Sequence, residues 1–129
     1  MTIKQTQDLP MTAFVQDFNT IRQQANVPQY TRFRFILKNF KPDTPVEVLD
    51  LSVRAENSLT RHNIMTFAQL NHCNLSKIRG CGKGTIKEIR TKFLSYHYDK
   101  MDDAQRVRFW KDTYEATAEM HRVEIPASD

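Results

Sequence analysis

Apolar residues recur at spacings of three and four along much of the chain, the period of a helix with one buried face. Met11, Phe14, Val15, Phe18, Ile21 and Ala25 set the first such stripe. It predicts an amphipathic helix that opens at Asp8 and Pro10, where a carboxylate can accept from free N–H groups and proline is tolerated. The helix should end near Asn26, ahead of Pro28. Tyr30–Phe40 is ambiguous: its first half alternates aromatic residues with Arg32 and Arg34, as a strand would, and its second half suits a helix equally. No partner strand is visible elsewhere, so helix is the expectation there. Lys41–Pro45 reads as a turn-rich hinge and the best internal boundary. Beyond it the pattern predicts short helices over about 52–62, 66–71, 74–79 and 83–96. A last helix, over about 102–121, opens on Asp102 and Asp103 and carries Val107, Trp110, Tyr114 and Ala118 on one stripe. Residues 1–8 and the tail around Pro126 read as loose ends.

These elements predict an all-α fold: a central helix-hairpin-helix pair with flanking N- and C-terminal helices, neither of which can bury its stripe alone. Three segments follow, a helical extension (1–44), a helix-hairpin-helix module (45–96) and a C-terminal helix with its tail (97–129). A weak repeat at an offset of thirty residues points to a duplicated unit. Val48, Ser52, Arg54 and Leu59 line up with Ile78, Gly82, Gly84 and Ile89, and the second copy keeps glycines that the first lacks.

Composition narrows the chemistry. A chain of 129 residues, 40% hydrophobic, suits one compact domain or a small module with dressed ends. The formal charge of +4 is mild, so an anionic partner follows only if the positive charge is clustered. It is clustered around Leu75–Ile89, where Lys77, Arg79, Lys83, Lys87, Arg90 and Lys92 face only Glu88. The same stretch holds Gly80, Gly82 and Gly84 between apolar residues at helical spacing, Ile78 before them and Ile86, Ile89 and Phe93 after. Glycines tolerate positive φ and let a bare backbone approach a phosphate, which then faces the N–H groups of the next helix. Lys83 and Lys87 add charge at that end, and the Thr85 hydroxyl can donate to a phosphate oxygen. A mononucleotide P-loop is disfavoured, since GxxxxGK[ST] is not matched and no strand precedes the glycines. Cys73 and Cys81 have neither metal-ligand nor disulfide-framework spacing, and His62, His72, His97 and His121 are scattered. No nucleophile-base set or carboxylate pair stands out, so no enzyme activity, metal or cofactor is expected. Without a signal peptide or spanning segment, the expected setting is the cytoplasm, associated with the nucleoid, with no membrane partner.

Leu51-Ser52-Val53-Arg54, followed by Asn57-Ser58-Leu59, then Asn63-Ile64, Phe67-Ala68-Gln69-Leu70 and the Gly82-Lys83-Gly84-Thr85 hairpin, resembles the C-terminal domain of the bacterial RNA polymerase alpha subunit. The resemblance spans residues 45–95. It implies a module that binds A/T-rich double-stranded DNA in transcription or its regulation. Arg54 would enter the minor groove, while Asn57, Gly82, Lys83 and Thr85 would hold phosphates; Gly80, Gly84 and Lys87 are added as candidates by the hairpin's own glycines and charge. A narrow A/T groove concentrates negative potential that favours a guanidinium, and phosphate contacts fix register without reading much sequence. Ser58 stands where the family has cysteine, so its hydroxyl is a further candidate phosphate donor. Gly84 replaces a family lysine, which trims the charge on DNA. Val48 replaces an acid on the surface that meets sigma factor, which puts that contact in doubt. RNA polymerase, sigma factor or a transcription regulator are the implied protein partners. The flanks carry no such resemblance, so the protein reads as a borrowed module rather than a polymerase subunit. Two rival readings stand beside this one: an interaction module with DNA secondary, and a non-specific helix-hairpin-helix accessory of DNA repair or recombination.

Overall fold

The computed structural model describes residues 11–25, 32–38 and 40–124. Among these the fold is all-helical, with one isolated β-bridge between Pro45 and Thr66. Helix α1 runs over Ala13–Ala25. Its cap is Thr12, whose hydroxyl accepts from the Val15 N–H at 3.2 Å and also meets the Ser95 hydroxyl at 2.9 Å, so the cap doubles as a tether. Asp8, Pro10, Asn26 and Pro28, the sequence-predicted ends, lie outside the described residues, as do Tyr30 and Pro126. Met11, placed on the apolar stripe, is exposed, whereas Phe14 is buried.

The central module is one unit used twice. A 3-10 turn, Val46–Leu49, leads to Ser52, which caps α2 (Val53–Arg61). A second 3-10 turn, Leu75–Lys77, leads to Gly82, the N-cap of α4 (Lys83–Tyr98). Ser52 and Gly82 stand thirty positions apart in the same role, which is the physical content of the weak repeat. The predicted helix over 74–79 is only that short turn. Between the units lies α3 (Phe67–His72), which opens on a capping box of Thr66 and Gln69. The free N–H groups of Phe67 and Ala68 donate to the Thr44 and Pro42 carbonyls at 2.9 and 3.0 Å. The proline-rich stretch is thus tied to α3 rather than loose.

Helix α4 feeds two apolar clusters. Ile89 and Phe93 join the module's core with Leu49, Leu59 and Phe67. Leu94 and Tyr98 join Phe14 of α1 and Phe109 of α5 (Asp103–Glu124). Tyr98 is wholly buried; its hydroxyl donates to Asp17 and accepts from the Trp110 indole at 2.6 Å. Burial and the bond to the Asp17 carboxylate push this phenol up to about 12.

Residues 32–38 are neither helix nor strand, which corrects the helical expectation. They run beside α5, and its side chains serve as their hydrogen-bond partners. Arg34 N–H donates to the Thr117 hydroxyl at 2.9 Å and Ile36 N–H to Thr113 at 3.1 Å; the Arg32 carbonyl accepts from His121 Nε2 at 3.1 Å. Four helical residues rise about 6 Å and two extended residues cover about 6.6 Å, so every helical turn meets every second residue. Phe33 and Phe35 contact Phe18, with centroids 5.0 and 5.3 Å apart. The alternation in the sequence is real, but its partner is a helix lined with hydroxyls. For the same reason the inward line of α5 is Phe109, Thr113 and Thr117. Val107 and Tyr114, placed on the apolar stripe, are 69% and 57% exposed.

Two outcomes are expected. Thr113 is fully buried, so Thr113→Val leaves the Ile36 N–H without its acceptor and lowers unfolding free energy by about 1–3 kcal/mol in urea denaturation. His97 sits among Phe40, Phe67 and Phe93 with Nδ1 donating to the Phe93 carbonyl at 2.8 Å, and burial lowers its pKa from 6.5. The unfolded state therefore takes the proton more readily. Stability is full above pH 6.5 and is lost as pH falls below it, and His97→Phe flattens that part of the midpoint-against-pH curve.

Candidate nucleic-acid interface

The relation between α2 and α4 is set by one carboxylate. Glu88 accepts from the Ser52 N–H at 2.6 Å and from the Ser52 hydroxyl at 2.8 Å. The same Ser52 oxygen accepts from the Ala55 N–H at 3.2 Å, so it caps α2 and bolts it to α4 together. Lys92 completes the clamp, 3.8 Å from Glu88 and donating to the Asp50 carbonyl at 2.6 Å. Asp50 reaches that position with a left-handed φ of 55°. The only acid among residues 75–92 is thereby engaged, while Lys77, Arg79, Lys83, Lys87 and Arg90 stay exposed.

Helix α4 begins without a cap. Helices α2 and α3 and the second 3-10 turn each receive a side-chain bond from Ser52, Thr66 or Asn74, whereas Gly82 offers none. The α4 first turn holds no acid, and its first residue is Lys83. The N–H groups of Lys83, Gly84 and Thr85 have no acceptor among the described residues. A cation at the positive end of a helix is unfavourable by a few tenths to about 1 kcal/mol, a cost that a bound anion would remove. The hairpin itself turns at Gly80, whose φ is +84°, and closes with a bond from Cys81 N–H to the Ile78 carbonyl at 3.1 Å. Nothing lies within 4 Å of where a Cβ on Gly82 or Gly84 would sit, so this backbone is open to solvent.

Arg54 and Asn57 lie one turn apart on the exposed side of α2. The Arg54 guanidinium pairs with none of Glu47, Asp50 or Glu56. Lys83, Lys87 and Arg90, at i, i+4 and i+7, share one exposed face of α4. Two candidates are placed elsewhere. Ser58 is wholly buried and its hydroxyl donates to the Arg54 carbonyl at 3.1 Å, so it supports the turn beneath Arg54 and presents nothing to a ligand. Thr85 is 8% exposed, on the face that also buries Ile89, so its backbone N–H rather than its hydroxyl is available. Glu88 and Lys92 were not among the predicted site residues; the clamp joins positions thirty-six apart, and no local spacing marks it. Cys73 and Cys81 are free, half-buried thiols that burial pushes up from their ordinary value, which makes them poor nucleophiles. No described helix is long and apolar enough to cross a membrane.

The central part of the protein is therefore a helix-hairpin-helix module with an open, basic helix start. Residues 37–95 match the family defined by the C-terminal domain of the bacterial RNA polymerase alpha subunit. Leu37 and Phe40, inside that match, also pack on the module's core. Similar proteins include the DNA-directed RNA polymerase subunit alpha of Mycoplasmoides gallisepticum, 43% identical over 65 residues, covering 48% of this chain and 20% of that protein. The subunit of Aster yellows witches'-broom phytoplasma is 34% identical over 89 residues, covering 64% of this chain and 27% of its own. That of Onion yellows phytoplasma is 32% identical over 100 residues, 72% of this chain and 30% of its own. The protein thus spans less than a third of the length of these curated relatives. No solved structure matches it significantly.

The glycines separate by backbone. Gly80→Ala forces a side chain into a left-handed position and should cost about 1–2 kcal/mol. Gly84→Ala falls on the first turn of α4 with open space around it and should stabilise by about 0.4–1 kcal/mol, mainly by restricting the unfolded chain. Chemical denaturation of both variants checks this opposition of sign.

Proposed function

We propose that this is a transcription-associated DNA-binding protein, with no catalytic role, that grips A/T-rich duplex through the minor groove and the phosphate backbone. The observation that carries this reading is the uncapped start of α4, with Lys83 on its first turn and an exposed Arg54 on α2, the helix that the Ser52–Glu88 clamp joins to α4. In this reading the N–H groups of Lys83, Gly84 and Thr85 hold a phosphate at the helix's positive end. Lys83 and Lys87 supply charge, and Gly80, Gly82 and Gly84 let the backbone approach. Arg54 enters the narrow groove, and Asn57, one turn on, holds a flanking phosphate. The likeness of residues 37–95 to the C-terminal domain of the alpha subunit supports the same assignment and suggests work beside RNA polymerase in the cytoplasm, on nucleoid DNA.

A protein contact by the same module has one observation in its favour. Val48 and Met65, 43% and 50% exposed, lie in segments joined by the bond from Val46 N–H to the Met65 carbonyl at 2.9 Å. Together they offer a small apolar surface to polymerase, sigma factor or a regulator, in addition to DNA.

Fluorescence anisotropy with A/T-rich and G/C-rich duplexes over a salt series tests the main reading. Binding should weaken with salt and favour the A/T-rich duplex. Arg54→Ala should cost about 1–3 kcal/mol and most of that preference, and Lys83→Ala should weaken both duplexes alike and lower the salt slope by about 1. No binding at low salt, or binding indifferent to salt, contradicts it.

A further inference from the structure

A groove of about 790 Å³ lies between the 32–38 segment and the middle of α4. Arg32, Arg34 and Arg90 line it with Asn71 and with buried apolar residues that include Leu70, Ile89 and Phe93, and no acidic residue is among the described lining. We propose that this groove is a second contact for the DNA phosphate backbone, extending the footprint beyond the hairpin; the inference rests on the DNA-binding reading above.

Continuity carries the assignment. Lys83, Lys87 and Arg90 form one exposed face, and Lys83 to Arg90 spans about 10 Å along the helix axis. One turn beyond Arg90 the helix turns apolar at Leu94, which is buried and also lines the groove. At that point Arg34 enters from the opposite wall. Its main chain is pinned by the bond to Thr117, so its exposed guanidinium starts from a fixed place. The alternation packs the half-buried Phe33 and Phe35 against Phe18 of α1 and leaves Arg32 and Arg34 exposed. Phosphates of one strand recur about every 3.4 Å along a duplex, so a backbone seated on Lys83 brings its next phosphates along α4 to this groove. A small neutral ligand has no use for the exposed guanidinium groups of Arg34 and Arg90 at one opening. A phosphodiester backbone does, because each cation displaces a condensed counterion.

The test is a salt titration of duplex binding by the full-length protein and four variants. Arg34→Ala/Arg90→Ala should lower the slope of log K against log salt by about 1.8, at about 0.9 for each phosphate no longer neutralised. Arg34→Lys/Arg90→Lys should restore it, since a point charge suffices for a phosphate. Arg34→Gln/Arg90→Gln repeats the loss with long neutral side chains, should the alanine pair fail to fold. A wild-type slope in the neutral variants, while Lys83→Ala still lowers it, overturns the second contact and leaves the hairpin reading standing. That result would also be seen if the groove took an acidic peptide. Absence of salt-dependent binding by the wild-type protein overturns both.

Discussion

Glu88 is the residue on which the geometry of the module depends. Its two oxygens receive an N–H and an O–H from one residue, Ser52, and bonds to a charged acceptor contribute about 1.5–3 kcal/mol each. The clamp does two things with one side chain. It sets the start of α2 against the early turns of α4, which fixes Arg54 relative to the hairpin. It also engages Glu88, the one carboxylate of the basic stretch 75–92. Capping stabilises α2 and α3, whereas α4 is left with open N–H groups and a lysine, an arrangement unfavourable by itself and suited to an anion.

That open helix is held elsewhere along its length. Sixteen residues long, α4 buries Ile89 and Phe93 in the module's core and Leu94 and Tyr98 in an aromatic cluster with α1 and α5. The outer helices therefore brace the far end of the helix whose near end is the site. The extended segment joins the same brace through the threonines of α5, which supply acceptors where a sheet would supply carbonyls. A packed scaffold of this kind keeps the hairpin in place without contributing a residue to it.

Where local spacing carried the structure, the sequence was readable. Helices α2, α3 and α4 announce themselves through Ser52, Thr66 and the glycines, each of which has a cap or turn role that follows from its chemistry. The turn at Gly80 was legible for the same reason, since its φ of +84° calls for a glycine. What could not be read depends on distant partners. Residues 32–38 carry a strand's alternation without a strand to pair with, and only the hydroxyls of Thr113 and Thr117 explain it. Those hydroxyls, polar by any sequence count, define the buried line of α5, so Val107 and Tyr114 of the predicted stripe are exposed while its Trp110 packs with the aromatic cluster. Ser58 and Thr85 matched functional positions by type, yet helical phase turns both side chains inward.

The central claim is that the free start of α4 receives a phosphate while Arg54 contacts the groove beside it. Backbone amide resonances followed by NMR during titration with an A/T-rich duplex address this most directly. The account predicts that the largest shifts fall on Lys83, Gly84 and Thr85, together with the Arg54 side chain. Binding that leaves these unmoved, with the shifts gathered on the outer face of α5, would contradict it.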